Sequence, residues 1–255
     1  MKIMIIRHGA PDYVNDSLLP EGREEARLLA EFLSKKEITD FYVSPLGRAQ
    51  ATARYTLDRM GRTAETLDWL REFPAKLRHW ETEELLKACP TPWDTSFGEE
   101  RICWDILPSY WTEVEDFYHK DNWRNTELCA HSDMPQVYDH VVQSLDKLLE
   151  KYGYVREGNH YKVVKSSGDT VAFFCHFGVE CILLSHLLGI SPFVLWHTFV
   201  ATPTSVTLLN TEEREQGFAI FRASCFGDTS HLALGHREPT FFGRYCERFE
   251  DDTLH

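Results

Sequence analysis

The stretch MKIMIIRHG, residues 1–9, sets the apolar run Ile3–Ile6 directly against Arg7, His8 and Gly9. Lys2–Ile6 reads as a buried-type strand closed by a polar turn. A cation, a titratable ring and a flexible residue at a strand end make poor core and suit a reaction centre. The stretch VAFFCHFG, residues 171–178, repeats the arrangement: a strand over Thr170–Cys175 runs into His176, Phe177 and Gly178. A helix over Val179–Leu188 follows and stops at Gly189.

Strand and helix alternate along the rest of the chain. Pro20-Glu21-Gly22 opens a helix with Ala26, Leu29, Ala30 and Leu33 on one face. Phe41–Val43 is a short strand ended by Ser44-Pro45; a helix over about Leu46–Arg59 and a strand over Thr66–Leu70 follow. Gln136–Tyr152 is an amphipathic helix, Tyr161–Val164 a strand, and Thr204–Leu209 with Phe218–Ala223 a hairpin. The alternation predicts an α/β fold, a three-layer α/β/α sandwich around a mainly parallel sheet.

The 255 residues are read as a single domain, 1–255, interrupted by an insertion over 74–135. Prolines, acids and tryptophans mix there without periodicity, and Trp80, Trp93, Trp104, Trp111 and Trp123 all lie within it. It carries 13 acidic and 6 basic side chains and is expected to form a cap or lid. A formal charge of −13 argues against nucleic acid or an anionic membrane surface as partner, but not against a small anionic substrate. No apolar run reaches 18 residues and no signal peptide is legible, so the cytoplasm is the expected compartment. The seven cysteines include no C-x-x-C pair and are expected as buried thiols, with no metal or other cofactor. Nothing in the sequence fixes an oligomeric state.

Several chemistries are excluded by their absent motifs. The chain has no G-x-x-x-x-G-K-[ST] loop, no H-E-x-x-H, no G-x-S-x-G and no D-x-D, and no cysteine is followed six residues later by arginine. Chemistry at Arg7-His8-Gly9 therefore makes His8 the nucleophile or base itself. In SPLGRAQ, residues 44–50, Arg48 falls in the first turn of a helix behind a strand end. Strand C-termini in such sheets share one edge, so Arg7 and Arg48 can converge on one anion, each offering a fork of donors that fits phosphate.

These segments resemble the histidine phosphatase superfamily, branch 1, whose fold is shared with the cofactor-dependent phosphoglycerate mutases. The resemblance rests on Arg7-His8-Gly9, Leu18 through Gly22 to Glu25-Ala26, Ser44 through Ala49, His176 with Gly178, and Gly227–Leu232. It implies a phosphate-monoester substrate, attack by His8 on phosphorus, and phosphate held by Arg7, Arg48 and a protonated His176. Its position implies Glu72, in WLREF, as the proton donor, with Glu81, Glu83 and Glu84 in reserve. Such a cationic ring could replace a metal. The chain departs from the pattern where Ala10-Pro11 and Val14 replace side-chain donors and Phe177 replaces a small residue. Phe177 also stands where the acid phosphatase branch has its proton-donating Asp, which excludes that assignment.

The acidic insertion and the missing mutase-like Tyr-Gly and Asn-Lys elements favour a phosphatase. The alternatives are a phosphoglycerate mutase-type phosphoryl transfer and a binding protein that holds a phospho-ligand without turnover.

Overall fold

The computed structural model describes residues 1–77, 83–91, 100–242 and 248. Trp80, Glu81, Trp93 and Cys246 lie outside the described residues. The chain divides into two compact units, Met1–Glu72 with Leu149–Glu180 and Val200–His255, and Phe73–Leu148 with Cys181–Phe199.

The first unit is built on one eight-stranded sheet. Its strands in chain order are β1 (Lys2–Arg7), β2 (Asp40–Val43), β3 (Glu65–Thr66), β4 (Tyr154–Glu157), β5 (His160–Val163), β6 (Thr170–Cys175), β7 (Val206–Glu215) and β8 (Phe218–Asp228). The spatial order is β3-β2-β6-β1-β7-β8-β5-β4. β3, β2, β6 and β1 run parallel, and every pair from β1 to β4 is antiparallel. In β1 and β6 five of six residues are buried, on both faces, as their continuous apolar runs require.

One face of the sheet is covered by α1 (Pro20–Leu33) and α2 (Gly47–Met60). Leu29, Leu33, Ala49 and Ala53 from these helices pack with Met4, Ile6, Phe41, Val43, Ala172 and Phe174 from the strands. Proline at the first turn starts α1, and left-handed Gly61 (φ 62°) ends α2. α3 (Phe177–Leu188) follows β6 and α4 (Ser230–Leu234) follows β8.

Two sequence expectations change. The strand expected over Thr66–Leu70 ends at Thr66 and continues as a 3₁₀ turn, Asp68–Leu70. Its partner β2 leaves the sheet at Ser44-Pro45, so the ladder has no neighbour beyond the Leu67 N–H bond to the Val43 carbonyl (3.0 Å). The hairpin of β7 and β8 is longer than its apolar residues show, because the ladder continues through Thr211–Glu215 to a turn at left-handed Gly217 (φ 78°).

The second unit has its own aromatic core. Phe117 lies 4.2 Å, ring to ring, from Phe193, Trp104 stacks on Trp196 at 5.7 Å, and Trp123 meets Tyr138 at 5.0 Å. Residues 136–148 and 181–199 therefore belong with the tryptophan-rich stretch. The six described cysteines are free thiols, five of them buried. No helix among the described residues is long and apolar enough to cross a membrane.

Candidate active site

Strand register assembles the site. β1 and β6 are parallel and aligned so that Arg7 faces Cys175, which makes His8 and His176 the next residues off the same sheet edge. The His8 N–H bonds the Cys175 carbonyl (3.0 Å), and the two imidazoles come within 5.0 Å, centroid to centroid. β2 ends one step away, where Val43 pairs with Phe174 and the Ser44 N–H bonds the Phe174 carbonyl (2.9 Å). Ser44 Oγ lies 2.7 Å from His176 Nε2.

The tautomer of His8 follows from its partners. Nδ1 is 2.8 Å from the Gly9 carbonyl, which can only accept, so Nδ1 carries the proton. Nε2 keeps its lone pair and accepts from Arg48 Nε at 3.3 Å. Burial, then Arg7, then Arg48 push the His8 pKa well below its ordinary value, so the ring is neutral. His176 is likewise pushed well below the ordinary range by burial, His8, Arg48 and Arg7. The imidazolium expected at His176 is thus disfavoured, because burial first and then the neighbouring cations oppose a charge on the ring.

Each arginine is fixed by groups the sequence did not single out. Asp16 accepts from Arg48 Nη1 (2.7 Å) and from the Gly47 N–H (2.6 Å), pinning the first turn of α2. Arg7 Nη1 donates to the carbonyls of Ala201 and Phe242, whereas its buried Nε and His176 Nδ1 have no hydrogen-bond partner among the described residues. Unpaired buried donors are rare, and an anion at this edge would satisfy them.

Thr52 accepts from the Gly9 N–H (2.9 Å), and Glu25 bridges the Ala10 N–H (2.8 Å) to the Thr240 hydroxyl (2.7 Å). Gly9 admits no side chain, since a Cβ there would lie 2.7 Å from the Gly22 carbonyl oxygen. Behind the site, Thr204 holds a left-handed backbone (φ 58°), gives its N–H to the His8 carbonyl (3.1 Å) and meets His231 Nε2 (3.0 Å). The segment Gly227–Leu232 thereby supports the loop under His8. That role was not legible before its partners were known.

Glu72, at the end of the 3₁₀ turn, accepts from the Val179 N–H (3.3 Å) in the first turn of α3, three residues after His176. Glu83 and Glu84 are exposed residues of the helix Glu83–Ala88 in the second unit. Among the described residues no group of three or more His, Cys, Asp or Glu side chains could hold a metal ion.

Residues 3–104 match the family model "Histidine phosphatase superfamily (branch 1)", a span that includes Arg7, His8, Arg48 and Glu72. No curated protein matches the sequence. Among solved structures, the chain is similar to a mutant phosphoserine phosphatase from Entamoeba histolytica in complex with phosphoserine. That match has 19% identity and TM-score 0.53, covering 91% of this chain and 98% of the other. It is also similar to the native mycobacterial glucosyl-3-phosphoglycerate phosphatase, at 17% identity and TM-score 0.56, covering 89% and 99%. The same mycobacterial enzyme with inorganic phosphate matches at 19% identity and TM-score 0.55, covering 91% and 99%. These identities establish the fold alone, and the match over residues 3–104 makes that part of the chain, with Arg7, His8, Arg48 and Glu72, similar to branch 1 of the histidine phosphatase superfamily.

Proposed function

We propose that the protein hydrolyses a small phosphate monoester without a metal ion, through a phosphohistidine on His8. The observation that carries this reading is the state of His8: neutral, protonated on Nδ1 by its bond to Gly9, and presenting Nε2 beside Arg48. The Nε2 lone pair forms a bond to phosphorus as the ester P–O bond breaks, and the departing oxygen takes its electron pair and a proton from Glu72. Arg7 and Arg48 stabilise the phosphoryl oxygens, which supply the dianion missing from the free site. Its charge draws a proton onto His176, completing the cationic ring.

Water then attacks phosphorus, giving up a proton to the Glu72 carboxylate, while the P–N bond electrons return to Nε2. Inorganic phosphate leaves and the enzyme is restored. Arginine forks and imidazolium act as fixed electrostatic stabilisers in a buried site, where their effect is largest. Turnover of p-nitrophenyl phosphate is expected to survive excess EDTA. Loss of activity with chelator, restored by magnesium, would overturn the metal-free reading.

A further inference from the structure

Each phosphate-binding arginine has an aromatic ring beside it. The Tyr13 ring centroid is 5.5 Å from the Arg48 guanidinium carbon, and the Phe177 ring is 6.0 Å from that of Arg7. Tyr13 is 62% exposed although it sits on a braced turn. Asp12 accepts from the N–H groups of Val14 (3.1 Å) and Asn15 (3.2 Å) and from the Asn15 side chain (2.8 Å). Asp16, at the far end of that turn, is tied to Arg48 and Gly47. The ring is thus held in solvent by a turn anchored to the phosphate site, at a cost that packing does not explain. Val14, beside it, is 93% exposed, and residues 9–14 bring no cationic side chain to this rim.

We propose that Tyr13 and Phe177 are specificity residues that clasp the alcohol portion of the substrate, so that the enzyme selects monoesters whose alcohol carries an aromatic ring over those with small or charged alcohols. This rests on the phosphatase reading of the same site. With the phosphoryl group on Arg7 and Arg48, an alcohol ring one or two carbons beyond the ester oxygen is the part of the substrate that would meet the aromatics beside those arginines. Stacking there also keeps each guanidinium against a π face that favours its charge. A carboxylate or polyol alcohol would lose hydration against these two ring faces.

The test compares 2-phenylethyl phosphate with ethyl phosphate, whose leaving oxygens are similarly basic, so the contribution of the acid cancels. Wild-type kcat/KM is expected to favour the aromatic ester by about tenfold, chiefly through KM, the size two aromatic contacts can supply. Tyr13→Ser and Phe177→Ala should each move that ratio several-fold toward one, and Tyr13→Phe should keep it. A wild-type ratio near one overturns the proposal. So does an equal loss on both esters in Tyr13→Ser and Phe177→Ala, which would mean that the rings only brace the arginines. If no ester turns over, the phosphatase reading fails separately. Calorimetric binding of 3-phenylpropylphosphonate against propylphosphonate then decides the rim's preference, about tenfold supporting it and equality contradicting it.

Discussion

Glu72 is half-buried, with its carboxylate accepting from the Val179 N–H, and the acid role proposed for it makes a prediction that depends on the leaving group. A general acid matters only when the departing oxygen is strongly basic. Alkyl phosphates release such an oxygen, whereas p-nitrophenolate has a pKa near ~7 and leaves unaided. Glu72→Gln should therefore slow alkyl phosphate hydrolysis by roughly 10²–10⁴-fold and p-nitrophenyl phosphate far less. Equal losses on the two would make Glu72 a positioning residue.

Arg7, His8, Arg48 and His176 stood out in the sequence as candidates because each is a polar residue at a strand end or the first turn after one, whereas Glu72 was singled out only by the position the resemblance implies. Asp16, Thr52 and Thr204 were not. Each acts through a partner 31 to 196 positions away, and nothing local distinguishes a bracing Asp or Thr from a solvated one. Ser44 was read as a strand end, and its bond to His176 appears only once β2 and β6 are paired.

The pairing of β1 with β6 explains why two separated His-containing turns form one site, and their apolar runs announced both strands. The shortening of the expected strand after Thr66 was not announced, since alternation in TLDWL is satisfied equally by a strand or by a turn that buries Leu70. α3 carries a further feature. Glu180, in its first turn, is a fully buried carboxyl with neither oxygen hydrogen-bonded by strict geometry among the described residues, and a lone acid inside FGVECILL was the available signal. Burial pushes its pKa up to about 7, with Glu72 adding to the rise and Thr207 and Arg7 opposing it.

An unfolded Glu titrates near 4.5, so between that value and about 7 the folded protein holds a proton the unfolded chain has lost. Glu180 therefore erodes stability as pH rises through this window, by roughly 3 kcal/mol in all, and the loss is complete above it. His197 and His231, held near 4 by burial, slope the other way below 6.5, where the unfolded chain takes up their protons first. Comparison with Glu180→Gln removes that shared background. Chemical denaturation should show the variant gaining on wild type by roughly 3 kcal/mol between about pH 4.5 and pH 8. A difference independent of pH would mean that Glu180 ionises as freely as in the unfolded chain.

Across the chain, the sheet-bearing unit was readable because its strands and helices repeat at regular spacing. Of the second unit only residues 74–135 were set apart in the sequence, as an irregular stretch, while its helical residues 136–148 and 181–188 were read as part of the regular alternation. Its core joins Phe117 and Trp123 to Phe193, and Trp104 to Trp196, so its extent depends on contacts across about 70 to 90 positions. All five residues assigned to the chemistry lie in the first unit, and the account stands or falls on what happens at His8. The most direct measurement is the intact mass and peptide map of enzyme quenched in alkali, where phosphohistidine persists, during turnover of a good substrate. The account predicts one added phosphoryl group, acid-labile and confined to the peptide that carries His8, and absent from His8→Ala. Unmodified protein throughout turnover, with His8→Ala still hydrolysing the substrate at the wild-type rate, would contradict it.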